Sequence, residues 1–265
     1  MSAPLTYQVE AFNTAKASEN KIHDDEVAKK FGFGGGLVPG AIVYAYMTHL
    51  PIERWGQAWL ERGTAECRFS KPVYDGDQVT VTATERDGVL DIRLECRGVV
   101  CATGLAALPD AVTPPALADF RDVPQRPSRP PADPTSLMVD TWLGIDPLAV
   151  TRELIAQYVS DARETSPLYT REGLLHPVLV PHIGNFALNR NVTLGPWMHV
   201  GSKIQHFAPA LLGDSLTVRA RVVANYEHKG HLFVDLDALI VANNNAPIVR
   251  TGHISIYQPR QLAAA

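Results

Sequence analysis

The chain has 265 residues, enough for one large domain or two small ones and for a sizeable core without disulfides or metals. Its formal net charge of −4 gives a nucleic-acid partner no support. Three cysteines, Cys67, Cys96 and Cys101, are too sparse and odd in number for a secreted disulfide framework, and they fit a reducing compartment.

In chain order, the first twelve residues lack a basic start followed by an apolar run, so no signal peptide is expected. The next segment, 24–31, reads as a short helix with Asp24 or Asp25 as N-cap and Gly32 as its stop. A second helix opens at Pro39 and is apolar on every side over 41–47, which requires burial all round. The whole apolar stretch, 37–47, is too short to cross a bilayer. Strands are expected at 63–71, 77–86, 89–97 and 99–108, with Asp87-Gly88 as a turn. Residues 107–147 then carry Pro109, Pro114, Pro115, Pro124, Pro127, Pro130, Pro131 and Pro134, so they form an extended linker. Phe120, Leu137, Met138 and Trp142 give that linker apolar groups to pack.

Beyond the linker the pattern recurs. Leu37-Val38-Pro39-Gly40 returns as Leu179-Val180-Pro181-His182. Gly63-Thr64 through Arg68-Phe69 returns as Gly201-Ser202 through His206-Phe207. Gly76-Asp77-Gln78-Val79-Thr80-Val81 returns as Gly213-Asp214-Ser215-Leu216-Thr217-Val218, and Thr103-Gly104 as Thr251-Gly252. A second helix opened by proline, here Pro181, precedes strands at 201–207, 215–223, 231–241 and 247–257. Lys229-Gly230 and residues 243–245 supply the turns. The chain therefore reads as an α+β protein made of two repeats, 1–108 and 148–265, joined by 109–147. Each repeat is an antiparallel sheet wrapped around a buried helix, the architecture of a hot-dog fold, present twice.

The segment Ala17-Ser18-Glu19-Asn20-Lys21-Ile22-His23, followed five residues later by Ala28, resembles the signature of the MaoC-like, (R)-specific enoyl-CoA hydratases. That signature reads Gly-Asp-x-Asn-Pro-aliphatic-His. Gly36-Leu37-Val38-Pro39-Gly40 and Phe69-Ser70-Lys71-Pro72-Val73 with Gly76-Asp77 resemble further family blocks. The resemblance spans both halves and implies a double hot-dog. It also implies that water is added to, or removed from, the carbon–carbon bond beside a CoA or carrier-protein thioester. The match departs from the signature at Ser18, where the family has its aspartate, and at Lys21, where it has proline. In the second repeat the same register reads Glu164-Thr165-Ser166-Pro167-Leu168-Tyr169, with the acid and proline kept and the histidine replaced by Tyr169.

The candidate catalytic residues are accordingly His23 as general acid/base, Asn20 to hold water or substrate, and Ser18 to orient water. Glu19, Asp24 and Asp25 are nearby carboxylates, of which the last two read better as helix-start acids. The candidate substrate-binding residues are Val38, Pro39 and Gly40, whose helix start offers free N–H groups to a thioester oxygen, with Tyr44 behind them. His182 and Asn185 join them from the second helix, where Asn189 follows. Polar side chains on a nominally buried helix need partners, so these either line a pocket or mark a less enclosed helix.

Gly34-Gly35-Gly36 lacks the flanking pattern of a phosphate loop and reads as a lead into the helix. Arg54, Arg62, Arg68, Lys71 and Lys203 are available to CoA phosphates or to solvent. No metal and no cofactor are expected, nor is a serine-hydrolase elbow present. The expected partner is an acyl-CoA or acyl-carrier thioester, with no nucleic acid and no membrane, in the cytoplasm. A homodimer is compatible with the pattern. The readings are a thioester hydratase or dehydratase first, a hot-dog thioesterase second, and a non-catalytic acyl or small-molecule binding protein third.

Overall fold

The computed structural model describes residues 4–263. The first half runs β1 (Leu5–Glu10), a 3-10 turn (Lys21–His23), α1 (Asp25–Lys30), α2 (Gly40–Trp55), α3 (Gln57–Arg62), β2 (Thr64–Phe69), β3 (Gln78–Arg86), β4 (Val89–Cys96) and β5 (Val99–Ala107). The second runs β6 (Trp142–Leu143), β7 (Leu148–Ala149), α4 (Arg152–Asp161), α5 (Leu168–Glu172), α6 (Leu179–Asn189), β8 (Met198–His206), β9 (Ser215–His228), β10 (His231–Ala242), β11 (Ala246–Gln258) and α7 (Arg260–Ala263).

All strands belong to one antiparallel sheet in the order β1-β3-β4-β5-β2-β8-β11-β10-β9-β6, with β7 also on β9. Read from the middle outward, the two halves match: β2, β5, β4, β3, β1 on one side and β8, β11, β10, β9, β6 on the other. The halves meet where β2 pairs β8, from Thr64 opposite Gln205 to Arg68 opposite Gly201. This is a double hot-dog. Gly201 keeps that seam close, since a Cβ there would sit 2.8 Å from the Cys67 carbonyl oxygen.

Each half-sheet wraps one helix. Residues Ala41 to Thr48 of α2 are buried without a break, as an all-apolar helix requires. α2 begins at Gly40 with Pro39 just outside, whereas α6 begins at Leu179 and holds Pro181 inside its first turn. Both are places where a missing N–H costs nothing. α6 differs from α2 in having a partly open face: Ile183, Gly184, Ala187 and Leu188 are buried, while His182, Asn185, Phe186 and Asn189 are not fully so. Turn chemistry matches the strand ends. Asp87-Gly88, Arg97-Gly98 and Lys229-Gly230 all take positive φ between paired strands.

The proline-rich connection crosses the outer face of the second half-sheet. Phe120 packs on Leu239 and Val241 there, with Leu117 and Trp142 against them. That explains why β10 is buried on both faces from Ala238 to Ala242. Trp142–Leu143 already pairs with β9, so the connection rejoins the sheet before Leu148. Several elements lie outside the sequence expectations. β1 adds an edge strand on β3, β6 forms within the segment read as a linker, and β7, α3, α4 and α7 are further additions.

Candidate active site

A cavity of about 710 Å³ opens between the two halves. The turn before α1 contributes Ser18, Asn20 and His23, and the start of α2 contributes Val38, Pro39, Gly40 and Val43. The facing wall comes from the second half: His182, Asn185 and Asn189 of α6, and His199 of β8. The residues proposed from sequence thus come from both repeats to one cavity, with one exception. Tyr44 does not line it; the hydroxyl is buried in the core beside Cys67 and Tyr169.

The local geometry fixes His23. Its Nδ1–H donates to the Leu37 carbonyl oxygen at 2.7 Å, so the proton sits on Nδ1 and Nε2 carries the lone pair. Leu37 is held in turn by its own amide on the Ile22 carbonyl. The glycine run is the strap that makes this contact. The Gly34 amide donates to the Tyr74 hydroxyl, and the Gly36 amide to Asp25 Oδ1 at 2.7 Å. A Cβ on Gly36 would fall 2.1 Å from the His23 carbonyl oxygen, so only glycine fits. Asp24 caps α1 through the Val27 amide, and Asp25 ties the strap; neither lines the cavity. Burial lowers the pKa of His23 and the bond to Leu37 opposes that, leaving a net shift downward and a neutral imidazole at pH 7.

Asn20 is fully engaged. Its Nδ2 donates to the Trp197 carbonyl at 2.9 Å and lies 3.3 Å from His23 Nε2. Its Oδ1 accepts from the amides of Trp197 at 3.2 Å and Ile22 at 3.4 Å. The side chain therefore copies a β-bridge onto the second half, and it braces His23 instead of holding a free water. Ser18 donates to the Asn20 carbonyl at 3.2 Å, which closes the turn. Glu19 is held in a two-pronged pair with Arg129.

The amides of Gly40 and Ala41 have no acceptor, and no side chain caps this helix end. Gly40 lies in the cavity wall, so its N–H is a free donor at a helix start. A Cβ on Gly40 would be 3.3 Å from His199 Nδ1, which measures how closely the second half approaches.

His199 and Asp161 are among the lining residues that had escaped notice in the sequence. His199 is 8% exposed; its Nε2 lies 3.0 Å from the Gly201 carbonyl and 2.8 Å from Ser202 Oγ, while Nδ1 is buried without a partner. Burial pushes its pKa down to about 3, so it stays neutral. Asp161, at the end of α4, is the other carboxylate in the wall besides Glu19. Burial raises its pKa, against a 2.7 Å bond from Gln157. The readable signal for the histidines was the polar row Thr251, His253, Ser255 on an otherwise apolar inward face, against which His199 stacks at 4.1 Å.

The second repeat's counterpart is closed. Glu164 lies buried with Oε1 2.9 Å from His49 Nδ1 and accepting the amides of Thr165 and Ser166. Oε2 lies 3.7 Å from His176 Nε2. Burial alone would raise its pKa, but His176 and His49 hold the carboxyl well below the usual range. Tyr169, where the signature has histidine, packs on His176 and fills the space. None of these residues lines the cavity.

Of the basic residues considered for CoA, Lys71 lies in the cavity wall and is exposed. Arg54 pairs with Glu85, Lys203 with Glu66, and Arg62 donates to the Pro109 carbonyl. Arg260 is a further exposed cation in the wall.

Residues 5–101 match the family model of the MaoC like domain. The first half of the chain is thus similar to the MaoC like domain. The matched span includes the His23 turn, the glycine strap and α2. No curated protein matches the sequence. Solved structures share the whole double hot-dog. Rv0216, a conserved hypothetical protein from Mycobacterium tuberculosis, superposes with a TM-score of 0.65 at 16% identity, over 98% of this chain and 97% of that one. A Chloroflexus aurantiacus protein named as a MaoC domain dehydratase gives 0.59 at 12% identity, over 97% and 95%. The dehydratase domain of PpsC from Mycobacterium tuberculosis, solved with C12:1-CoA, gives 0.50 at 10% identity, over 97% and 94%. At such identities the likeness concerns the double hot-dog fold, not its chemistry. No helix among the described residues is long and apolar enough to cross a membrane.

Proposed function

We propose that this MaoC-like protein adds water to, or removes it from, the carbon–carbon bond conjugated with an acyl thioester. The observation that carries the reading is the lock of His23 Nδ1–H on Leu37. It leaves Nε2 neutral, and once water replaces the 3.3 Å contact from Asn20 Nδ2 this nitrogen is the base in a cavity that also holds the unpaired Gly40 amide. In the hydration direction, Nε2 takes a proton from water as its oxygen bonds to the β-carbon. The thioester oxygen gains enolate charge, which the Gly40 N–H stabilises. The imidazolium then returns a proton to the α-carbon, so H and OH are both delivered and His23 is restored. Asn20 acts as a positioning residue, since its amide joins the His23 turn to Trp197 across the two halves. Lys71 and Arg260 are the exposed cations suited to CoA phosphates.

A second reading, thioester hydrolysis, draws on Asp161, a carboxylate in the same wall that could activate water. One experiment separates the two. The protein is given short and medium enoyl-CoAs, and both the conjugated thioester absorbance and free thiol are followed. Hydration predicts loss of absorbance without thiol, and a fall of about 10²–10⁴ in kcat for His23→Ala. Free thiol dependent on Asp161 would replace this reading by hydrolysis. Full hydratase turnover by His23→Ala would remove His23 from the mechanism.

A further inference from the structure

The cavity's second wall carries polar groups that the hydration chemistry leaves unused. α6 places His182, Asn185 and Asn189 along one stripe facing the cavity, at positions i, i+3 and i+7. Of these, His182 Nδ1 and Asn185 Oδ1 are buried atoms with no hydrogen-bond partner. His199 Nδ1, beside Gly40, is a third. Asp161 adds a carboxylate engaged by a single side chain, Gln157. α2 offers Gly40 and Val43 to the cavity, so of the two central helices it is α6 that carries the polar side chains.

Buried polar groups without partners are rare and costly in folded proteins. Three on one wall of a ligand-sized space, with a carboxylate beside them, point to a ligand that supplies the partners. With the thioester carbonyl on Gly40 and the phosphates at the exposed cations, the part of the substrate left for this wall is the acyl chain. We propose that the α6 wall is a recognition site for an acyl group bearing a neutral oxygen function, a hydroxyl or keto oxygen, beyond the reacting bond. Placing of the acyl chain here rests on the thioester reading above. A carboxylated chain fits less well. Burial keeps His182 and His199 uncharged, at about 4 and about 3, and Asp161 would repel an anion. A plain alkyl chain would seal these groups off without bonds. A site built to hydrogen-bond a substrate discriminates against the analogue lacking the group far more than an apolar pocket rejects a methylene.

The test uses the full chain and matched pairs of CoA thioesters with four, six and eight acyl carbons, each with and without a terminal hydroxyl or an internal keto group. Binding of the saturated members is measured by calorimetry, and turnover of the 2-enoyl members by absorbance. We expect at least one oxygenated member to bind about tenfold or more tightly than its alkyl partner. Asn185→Leu and His182→Phe should each erase most of that preference, mainly by strengthening alkyl binding. Equal or tighter binding of every alkyl member to the unmodified protein, or no binding of any, overturns the proposal, and that measurement needs no variant to fold. So does a preference that survives in both variants. The two readings fail separately. Oxygenated chains bound preferentially but never hydrated would sink the hydratase reading alone. Alkyl enoyl-CoAs hydrated with the higher kcat/KM would sink this one alone.

Discussion

In the hydration proposed above, His23 would be set by contacts, not by a carboxylate. Its Nδ1–H is committed to Leu37, and burial disfavours the charged ring. A base that must be neutral works above its pKa, and here that pKa lies below the ordinary histidine value. The kcat/KM of hydration should therefore rise with pH through an apparent pKa below 6.5 and be flat by pH 7. A limb centred above 7 in the pH–rate profile would mean that another group is the base. Asn20 tests the brace. Asn20→Ala removes both bonds to Trp197 and strands its backbone, so stability should fall by about 1–3 kcal/mol in urea titration. Asn20→Asp keeps the acceptor but loses the donor at Trp197 and His23. It should therefore recover part of the stability and little of the rate, a split that a residue serving only the fold would not give.

Among the elements, the glycine strap and the two central helices differ in how much the sequence discloses. The all-apolar run of α2 and the positive-φ turns are local properties, and they were legible residue by residue. So was the proximity of His23 to a proline-opened helix, since short spacing carries it. What the sequence concealed depends on partners far along the chain: Asn20 on Trp197, Gly40 against His199, Asp161 in the wall. The strap shows the same limit at short range. Three glycines look like slack, yet Gly36 is there because the His23 carbonyl leaves no room for a Cβ. Gly36→Ala should push the strap off His23. Hydration should then fall at least about tenfold, while unfolding is eased by the roughly 1–3 kcal/mol typical of overpacking. Gly32→Ala is the useful contrast. A Cβ there meets nothing, although its φ of +85° strains any other residue, so it should cost stability and spare the rate. Equal loss of rate in both variants would show that the strap matters only to folding.

At the scale of the whole molecule, fusing two hot-dogs into one sheet buries histidines in the seam itself. His199, His206 and His253 lie on β8 and β11, close to the β2–β8 junction, and are almost wholly buried. Burial lowers the pKa of His206 to about 4 and of His199 to about 3, and His253 lies well below its ordinary value, with His199 adding repulsion. The unfolded chain takes up these protons near pH 6.5, and the folded chain refuses them until much lower. Stability is therefore complete above about pH 6.5 and falls as pH drops from there toward 4. His206 and His199 each weaken the fold by roughly 2 kcal/mol at pH 5, and His253 acts in the same direction. Such losses are large beside the 5–15 kcal/mol that holds a typical domain together. Glu164 adds a further loss at still lower pH, because the contribution of its depressed carboxyl is complete above the ordinary carboxylate range and is lost progressively below it. Urea unfolding followed from pH 7.5 to 5 should show the midpoint falling steeply below pH 6.5. His206→Phe, beside Trp59, should flatten that slope by about 1.4 kcal/mol per pH unit, one proton's worth. A midpoint that holds steady down to pH 5 would mean that the seam admits protons, and with them water, in the folded state.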